Sequence, residues 1–451
     1  MSLLGTDAVA LSRAQRLGAL YHILPRQEVK RALRRTGRDR AYCSRIPAVF
    51  LVYFVLALGL FCRDSYRQVF RWLKRWGKGK VPERSTLCEA RKRLGVAPLV
   101  VLAQDVVKLL ARPDTPGAYY RDLRMMALDG FVADIPDMPV NDKVFGRPPG
   151  SRAPGAFPQV RIVALCEAGT HVMYRWLIKP LRVAEQRMAD WLLRFLEPGM
   201  LLLWDRNFLS YDRVQRVTGR GAHLLARVKK DLIFQPIRRL SDGSYLSKLY
   251  RNATDRKHDR GGILVRIIDY TFNDPTRAGH GEKHRLLTTL LDPEMDPAKT
   301  LIALYHVRWE EELAIDEIKT HQMERPVLRS QTPAGVVQEL YALLLDHYAV
   351  RVLMFEASQQ AKVTPLRISF TGALKILRCR IPECPRRQRE RRAWWRDLVH
   401  EVAEEVLPPR RNRVNPRVIK RKMSKWKKKR PQHRSPPQPT REFSAAIVML
   451  C

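Results

Sequence analysis

The stretch YHVRWEEELAIDEIK, residues 305–319, repeats charged and aromatic side chains at the spacing of one helical face. Wound as an α-helix at about 100° per residue, it places four side chains within an arc of about 60°. These side chains are Tyr305, Arg308, Glu312 and Lys319. One face then presents a carboxylate flanked by two cations and a phenol, which suits holding a metal ion against a phosphate backbone. The stretch therefore predicts a helix that takes part in phosphate chemistry.

The composition indicates a large, strongly basic protein. The chain has 451 residues, of which 45% are apolar, and such a length allows about two to four domains with a sizeable core. Lys and Arg number 83 against 45 Asp and Glu, so the formal net charge is +38. This excess repels itself in a compact fold unless a polyanion binds. We expect nucleic acid as the polyanion, with an anionic membrane surface as the alternative.

The pattern of cysteines favours a protein of a reducing compartment. Seven cysteines are scattered without a pairing pattern, and we interpret Cys379 and Cys384 as free thiols rather than zinc ligands.

No signal peptide is recognised at the start of the sequence. The uncharged run from Ile46 to Cys62 has 17 residues, short of the roughly 20 that span a bilayer. We therefore expect a buried core helix there, a cytoplasmic location and no membrane association.

Residues 1–112 have the pattern of a helical domain. Candidate helices are Ala8–Tyr21, Arg26–Arg35, the apolar run Ile46–Cys62, Ser65–Trp76 and Arg84–Leu94. Basic residues lie along the exposed faces of these helices. The domain is therefore interpreted as contacting DNA, with a packing domain that has a solvated basic surface as the alternative.

From about residue 119, apolar strands alternate with helical patterns. The strand candidates are residues 125–135, 159–169, 171–180 and 200–205, with a helix at Ala184–Leu196. A β-rich block follows at about 223–298, with strand candidates at 223–230, 230–240, 261–272 and 282–292, and a long helix is predicted at Gln338–Glu356. This alternation predicts a mixed α/β fold with helices on the faces of a sheet.

The C-terminal part, residues 378–451, is a basic segment. Twelve of the twenty-one residues from Arg410 to Arg430 are Lys or Arg. We expect much of 408–442 to be flexible or to fold only on a polyanion, and the alternative is a solubilising or nonspecific tail.

Three acids occupy positions that suit a metal site. Asp129 lies in the first apolar strand, Asp205 ends the strand at 200–205, and Glu312 lies on the charged helix. An acid at the end of an apolar strand is costly to bury alone and is tolerated beside a metal ion or at an opening to solvent. Each acid alone could equally be a turn or a helix cap. Asp316, one turn beyond Glu312, is the alternative third ligand.

Taken together, these residues resemble a known family. Asp129-Gly130, Asp205-Arg206-Asn207-Phe208 and the charged helix resemble signatures of the DDE transposases of insertion sequence family four. The family's signature has Tyr, two residues, Arg, three residues, Glu, six residues and Lys, which is the spacing of Tyr305, Arg308, Glu312 and Lys319. PQVRIVALCEAG, TLCEARKRLG and the basic C-terminal segment also resemble such proteins, so the resemblance covers most of the chain.

The resemblance implies a ribonuclease H-like catalytic domain at 119–375, with the β-rich block as an insertion. It implies that Asp129, Asp205 and Glu312 bind two Mg²⁺ ions, for which Mn²⁺ substitutes. Hard cations prefer carboxylate oxygens, and a pair of them can support in-line displacement at phosphorus. The enzyme is then expected to cut double-stranded DNA at the terminal inverted repeats of its own element and to join the 3′ ends to target DNA.

The resemblance also implies roles for the neighbouring residues. Arg308 and Lys319 are expected to contact phosphates, and Tyr305 to contact a phosphate or the end of the DNA. Further expectations concern Arg206 and Asn207, which orient the loop around Asp205, and Trp309, which stacks on DNA or packs in the core. The alternative for the cations is ion pairs on the helix surface with Glu311 or Glu312. A homodimer on paired DNA ends, associated with the bacterial nucleoid, is the expected assembly.

The sequence departs from certain relatives in one residue, and it leaves two alternative functions. Certain relatives form a DNA hairpin and stack a flipped base on a tryptophan of the insertion, but residues 206–304 contain no Trp, and Tyr270 or Phe272 could substitute. The alternative functions are a noncatalytic, domesticated DNA-binding protein and a metal-dependent nuclease without strand transfer.

Overall fold

The computed structural model describes eleven stretches of the chain. They are residues 20–39, 46–73, 80–150, 154–229, 232–277, 279–307, 309–385, 387–408, 418–419, 427–433 and 438–450, apart from the side chains of 307–312, 418–419, 427 and 432. Contacts between Cα atoms divide the chain into two compact units. The first unit is Met1–Phe195 with Glu310–Leu407, and the second unit is Leu196–Trp309 with Pro408–Cys451.

The first unit begins with a group of helices. They are α1 (Arg26–Arg35), α2 (Ala48–Leu60), α3 (Tyr66–Leu73), α4 (Arg84–Leu94) and α5 (Ala97–Val106). The predictions of helices at Arg26–Arg35, at Arg84–Leu94 and in the apolar run are confirmed, whereas α5 was not predicted. The predicted helix Ala8–Tyr21 lies, up to residue 19, outside the described residues, as do residues 74–76 of the predicted helix Ser65–Trp76.

An antiparallel sheet follows in the first unit. Its strands are β1 (Tyr119–Tyr120), β2 (Leu123–Asp134), β3 (Gln159–Glu167) and β4 (Val172–Pro180), in the order β4-β3-β2-β1. Helix α6 (Pro139–Phe145) connects β2 to β3, and α7 (Glu185–Leu192) follows β4 and continues into a 3₁₀ turn, Leu193–Phe195. In the register of β2 and β3, Asp129 lies opposite Ala164 and Gly130 opposite Val163. The three strands predicted between 125 and 180 are confirmed.

The second unit is built on another set of strands. They are β5 (Met200–Trp204), β6 (His223–Arg227), β7 (Arg238–Arg239), β8 (Tyr245–Leu249), β9 (Ile263–Phe272) and β10 (His284–Thr288), in the order β5-β6-β10-β9-β8-β7. The helices of this unit are α8 (Tyr211–Thr218), α9 (Ala253–Lys257) and α10 (Ala298–Val307). Strands β5 and β6 are parallel, and the other pairs are antiparallel.

The prediction of a strand over 230–240 is wrong. In its described part only Arg238–Arg239 forms a strand, and Pro236 just before it lacks the backbone N–H that a ladder needs. Strand β8 was missed instead. The strands predicted at 200–205, 223–230, 261–272 and 282–292 are confirmed as β5, β6, β9 and β10.

The first unit resumes with helices. They are α11 (Trp309–Asp316), a π-helical turn (Glu317–Gln322), α12 (Pro333–Ala361), α13 (Phe370–Arg380) and α14 (Gln388–Ala403). The prediction that one α-helix carries residues 305–319 is wrong at its end, because the π-helical turn begins at Glu317 and Lys319 leaves the α-helical spacing. Residues 378–403, predicted as part of a basic segment, lie largely in α13 and α14, which pack on α12.

Helix α2 forms the centre of the helical core. Every residue from Phe50 to Leu60 is buried, as expected for a helix that is apolar on all sides. It packs against α3, α4 and α12, and Gly59 allows α12 to approach closely, since a β-carbon there would lie 2.9 Å from the carbonyl carbon of Ala342. In the described part of the chain, no helix has both the length and the hydropathy that crossing a membrane requires.

The described C-terminal residues belong to the second unit. Two short strands, β11 (Val418–Ile419) and β12 (Lys427–Lys428), pair in parallel, and β13 (Ile447–Met449) pairs antiparallel with β9. Residues Ile447–Met449 are thus part of a sheet. Most of 408–442, predicted to be flexible, lies outside the described residues, and the division into 1–112, 119–375 and 378–451 stays a prediction.

Candidate active site

Asp129, on β2, lines a cavity. Its side chain is half-buried, and its Oδ1 accepts a hydrogen bond of 2.7 Å from the backbone N–H of Gly130. The cavity has a volume of about 410 Å³ and is called the Asp129 cavity below. Its lining residues are Asp129, Gly130, Phe131, Val132, Arg161, Glu185, Ile315 and Lys319, all of the first unit.

Lys319 reaches the same cavity from the π-helical turn. Its side chain is exposed, and its Nζ lies 6.0 Å from the centroid of the Phe131 ring, two residues along β2 from Asp129. The structure therefore brings together two of the predicted site residues that are far apart in the chain. A carboxylate and an ammonium group at one opening can serve a metal ion and a phosphate, respectively.

Glu185 is a cavity residue that the sequence reasoning missed. It is the first residue of α7, and a β-carbon on Gly130 would lie 2.5 Å from its Oε1. Glycine at 130 therefore makes room for this carboxylate beside Asp129. Within the described part of the chain, the side chains of Glu185, Arg161 and Lys319 form no ion pair. A glycine directly after Asp129, inside an apolar strand, is the one sequence feature that indicated the close approach of another side chain at this point.

A buried charged network holds the π-helical turn. Glu317 receives hydrogen bonds from Arg351 Nε at 3.0 Å and from His347 Nε2 at 2.9 Å, and His171 Nδ1 lies 3.0 Å from its Oε1. Burial alone raises the pKa of Glu317, but the charge of Arg351 and the bonds from both histidines hold this pKa well below its ordinary value. Burial lowers the pKa of His347 despite its bond to Glu317.

Asp205 lies in the second unit at the end of β5. All five residues of β5 are buried, whereas Asp205 is half-buried and Arg206 and Asn207 are exposed. The backbone N–H of Phe208 donates to the carbonyl oxygen of Asp205 at 3.0 Å, and the buried Phe208 ring anchors the loop. A half-buried carboxylate at the end of a fully buried strand fits a residue that contacts a ligand.

Tyr305 supports the same strand. Its side chain is only 6% exposed, and its hydroxyl donates to the carbonyl oxygen of Trp204 at 3.3 Å. Trp204 directly precedes Asp205, so the Tyr305 hydroxyl supports the backbone next to this acid. Its predicted contact with DNA stays a prediction.

Most of the remaining predicted site residues of the charged stretch have side chains outside the described part of the chain. Arg308 lies outside the described residues, and the side chains of Trp309 and Glu312 lie outside the described side chains. Asp316, the alternative third ligand, is exposed on α11. Among the side chains that are described, no three of His, Cys, Asp or Glu cluster as a metal-binding group. The convergence of Asp129, Asp205 and Glu312 stays a prediction.

The residues considered for base stacking are not exposed. Tyr270 and Phe272, on β9, are each 3% exposed and pack against one another in an edge-to-face arrangement with ring centroids 5.6 Å apart. Neither therefore presents a free ring face to a nucleobase in this structure.

Comparisons with known proteins identify two matching families. Residues 14–104 match the family described as Insertion element 4 transposase N-terminal, and residues 124–346 match the family described as Transposase DDE domain. The chain is 28% identical over 423 residues to the transposase InsG for insertion sequence element IS4 of Escherichia coli K12, covering 91% of this chain and 93% of InsG. A cryo-EM structure of a piggyBac transposase synaptic complex with hairpin DNA matches at 12% identity and a TM-score of 0.42, covering 88% of this chain and 86% of that chain. This last similarity is too low to support a conclusion.

The chain belongs to the insertion sequence 4 family of DDE transposases. It is an enzyme of DNA transposition, which cleaves DNA and transfers strands, and the predictions of family and of function are confirmed. The DDE domain also implies a ribonuclease H-like fold, divalent metal ions and DNA as the partner.

Proposed function

We propose that this transposase cuts double-stranded DNA at the terminal inverted repeats of its own insertion sequence and joins the freed 3′ ends to target DNA. The observation that supports this most directly is the Asp129 cavity, which both the carboxylate of Asp129 and Lys319 of the charged stretch line. One group suits a hard cation and the other a phosphate, and phosphoryl transfer needs both.

The metal ligands in this proposal are Asp129, Asp205 and Glu312. The donor set of the Asp129 cavity fits a hard divalent ion, because Asp129 and Glu185 both supply carboxylate oxygens to it. The proposed ions are two Mg²⁺, with Mn²⁺ as a substitute. When bound, such ions activate a water or a 3′ hydroxyl and stabilise the leaving oxygen.

The chain's own residues then orient the DNA. Lys319 and Arg308 bind phosphates near the scissile bond and offset the charge that develops there. Arg206, exposed beside Asp205, contacts the DNA backbone, and Trp309 stacks on DNA. The buried pair of Glu317 and Arg351 fixes the turn from which Lys319 projects.

The proposed architecture rests on the family, and the proposed assembly rests on the reaction. The catalytic domain 119–375 lies between a helical domain and a basic segment in the sequence, and the β-rich residues 223–298 form an insertion in it. Two element ends must be cut and joined together, so we propose a homodimer on paired ends, associated with the bacterial nucleoid.

The test is a joining reaction with the full chain. A labelled duplex that carries the native inverted repeat is incubated with a circular plasmid and Mg²⁺, and the products are separated on a denaturing gel. The proposal predicts label covalently joined to plasmid DNA, and none with a scrambled repeat. A product that is only nicked would favour a nuclease, and intact DNA bound by the protein would favour a noncatalytic descendant.

A further inference from the structure

Helix α1 carries three cations along one face. Arg26, Lys30 and Arg34 are spaced four residues apart, which places them within an arc of about 80°. They line a cavity of about 310 Å³ together with Leu33, Asp39 and the start of α2 at Pro47, Ala48 and Val49. We call this set of three cations the α1 cationic face.

The other cations of α1 have carboxylate partners. Arg31 pairs with Glu28 at 2.6 Å, and Arg35 pairs with Asp105 at 2.8 Å. In the part of the chain that the structure describes, Arg26, Lys30 and Arg34 form no ion pair, and Lys30 and Arg34 are exposed. One side of the helix is thus neutralised, whereas the α1 cationic face keeps an excess of positive charge, with Asp39 as the one carboxylate in the lining of its cavity.

The α1 cationic face is costly for an isolated fold. Like charges four residues apart repel by about 0.2–0.5 kcal/mol per pair. Arg26 also lies at the first position of α1, where the helix dipole disfavours a cation. The cavity is further bounded by the N-terminus of α2, where Pro47 makes no side-chain cap. A bound anion would offset the repulsion between the cations and the unfavourable position of Arg26, and it would suit the N-terminus of α2.

We propose that the α1 cationic face binds the phosphate backbone of duplex DNA. The inference deepens the proposed function and rests on it, since it names the part of the helical region that holds the element's DNA. The three aligned cations match a row of phosphates, and the net charge of +38 favours a polyanion over a small anion. Because phosphates carry no sequence information, the face positions the duplex and does not select the repeat.

The test compares two double variants of equal charge. Lys30→Gln/Arg34→Gln removes two cations of the α1 cationic face, and Arg31→Gln/Arg35→Gln removes two ion-paired cations from the same helix. The full chain binds a labelled duplex without metal over a range of salt concentrations. The first variant is expected to make the negative slope of the log association constant against log salt shallower by about 1.8, at roughly 0.9 per lost phosphate contact. The second is expected to keep a slope near that of the wild type.

Two results would overturn the inference. Equal losses in both variants would assign the effect to overall charge, and an unchanged slope in Lys30→Gln/Arg34→Gln would remove the face from the DNA contact. Thermal unfolding checks folding, and Lys30→Gln/Arg34→Gln is expected to be at least as stable as the wild type, because it relieves repulsion. Binding without metal does not need the catalytic acids. A wild type that binds DNA but joins no ends would therefore contradict the proposed function without contradicting this inference.

Discussion

Arg351 Nε donates a hydrogen bond of 3.0 Å to Oε2 of Glu317 in the interior of the first unit. Arg351 lies on α12, and Glu317 opens the π-helical turn that carries Lys319. Glu317 is 8% exposed and Arg351 2%. The turn is therefore tied to the longest helix of the core by a buried ion pair, and the position of Lys319 depends on it.

Replacing Glu317 by Gln removes this charge at nearly constant size. Because Arg351 is then left buried without a carboxylate, we expect a loss of about 3–5 kcal/mol in the free energy of unfolding at neutral pH. Urea unfolding measures this loss. The matched control is Glu383→Gln, whose pair with Arg380 is exposed and is expected to contribute less than about 1 kcal/mol.

The same variant has a defined pH dependence. The folded pKa of Glu317 is held well below the unfolded value of about 4.3, so its stabilisation is present above that pH and is lost as the pH falls. The difference in stability between the wild type and Glu317→Gln is therefore expected to shrink below about pH 4.3. A difference that stays constant down to the acid transition would contradict the assigned charge.

The buried carboxyl of Asp346 makes stability depend on pH in the direction opposite to that of Glu317. It faces Gly59 across the contact of α12 with α2, and neither of its oxygens has a hydrogen-bond partner in the described part of the chain. Burial raises its pKa well above the ordinary value, so stability is lost as the pH rises from about 3.9 towards the folded pKa. The free energy of unfolding of Asp346→Ala, relative to that of the wild type, is therefore expected to rise as the pH rises, by at most about 1.4 kcal/mol per pH unit.

Urea unfolding at acidic and neutral pH tests this prediction. Asp397→Ala, which removes an exposed acid from α14, controls for the change in net charge. A gain of the same size at every pH in Asp346→Ala would show that packing, and not the buried carboxyl, decides the effect.

The close approach of Glu185 to Gly130 predicts a coupling between the two residues. A β-carbon at 130 would lie 2.5 Å from Glu185 Oε1 and 3.0 Å from Val163 Cγ2. Gly130→Ala is expected to cost about 1–3 kcal/mol of stability in the wild type, and less in a Glu185→Ala background. A double-mutant cycle of unfolding measurements gives the coupling, and equal costs in both backgrounds would place Glu185 elsewhere.

Tyr305→Phe separates two roles of the phenol. The hydroxyl donates to the carbonyl oxygen of Trp204, so its removal is expected to cost about 1 kcal/mol of stability. If Tyr305 also contacts DNA, the affinity for the inverted-repeat duplex falls as well, which fluorescence anisotropy measures. Loss of stability with unchanged affinity would restrict Tyr305 to supporting the end of β5.

The sequence predicted the elements whose pattern is local. Continuous burial of β5 and α2 follows from their unbroken apolar runs, and the Tyr305 to Lys319 spacing identified the family. The position of Lys319 was less predictable, because a π-helical turn is stabilised by Glu317 contacting residues far away in the chain. Glu185 was missed for the same reason, since only the fold brings the start of α7 to Gly130. The false strand at 230–240 came from reading apolar residues without weighing Pro236.

In the proposed function, three acids bind the metal ions that support cleavage of the DNA. Cleavage of a duplex with the native inverted repeat in Mg²⁺ tests it, comparing the wild type with Asp129→Asn, Asp205→Asn and Glu312→Gln. Asp316→Asn, which changes an exposed acid near Glu312, is the matched control. We expect each of the three variants to lose cleavage while binding DNA, and the control to cleave like the wild type. Full cleavage by any one of the three would remove that residue from the site.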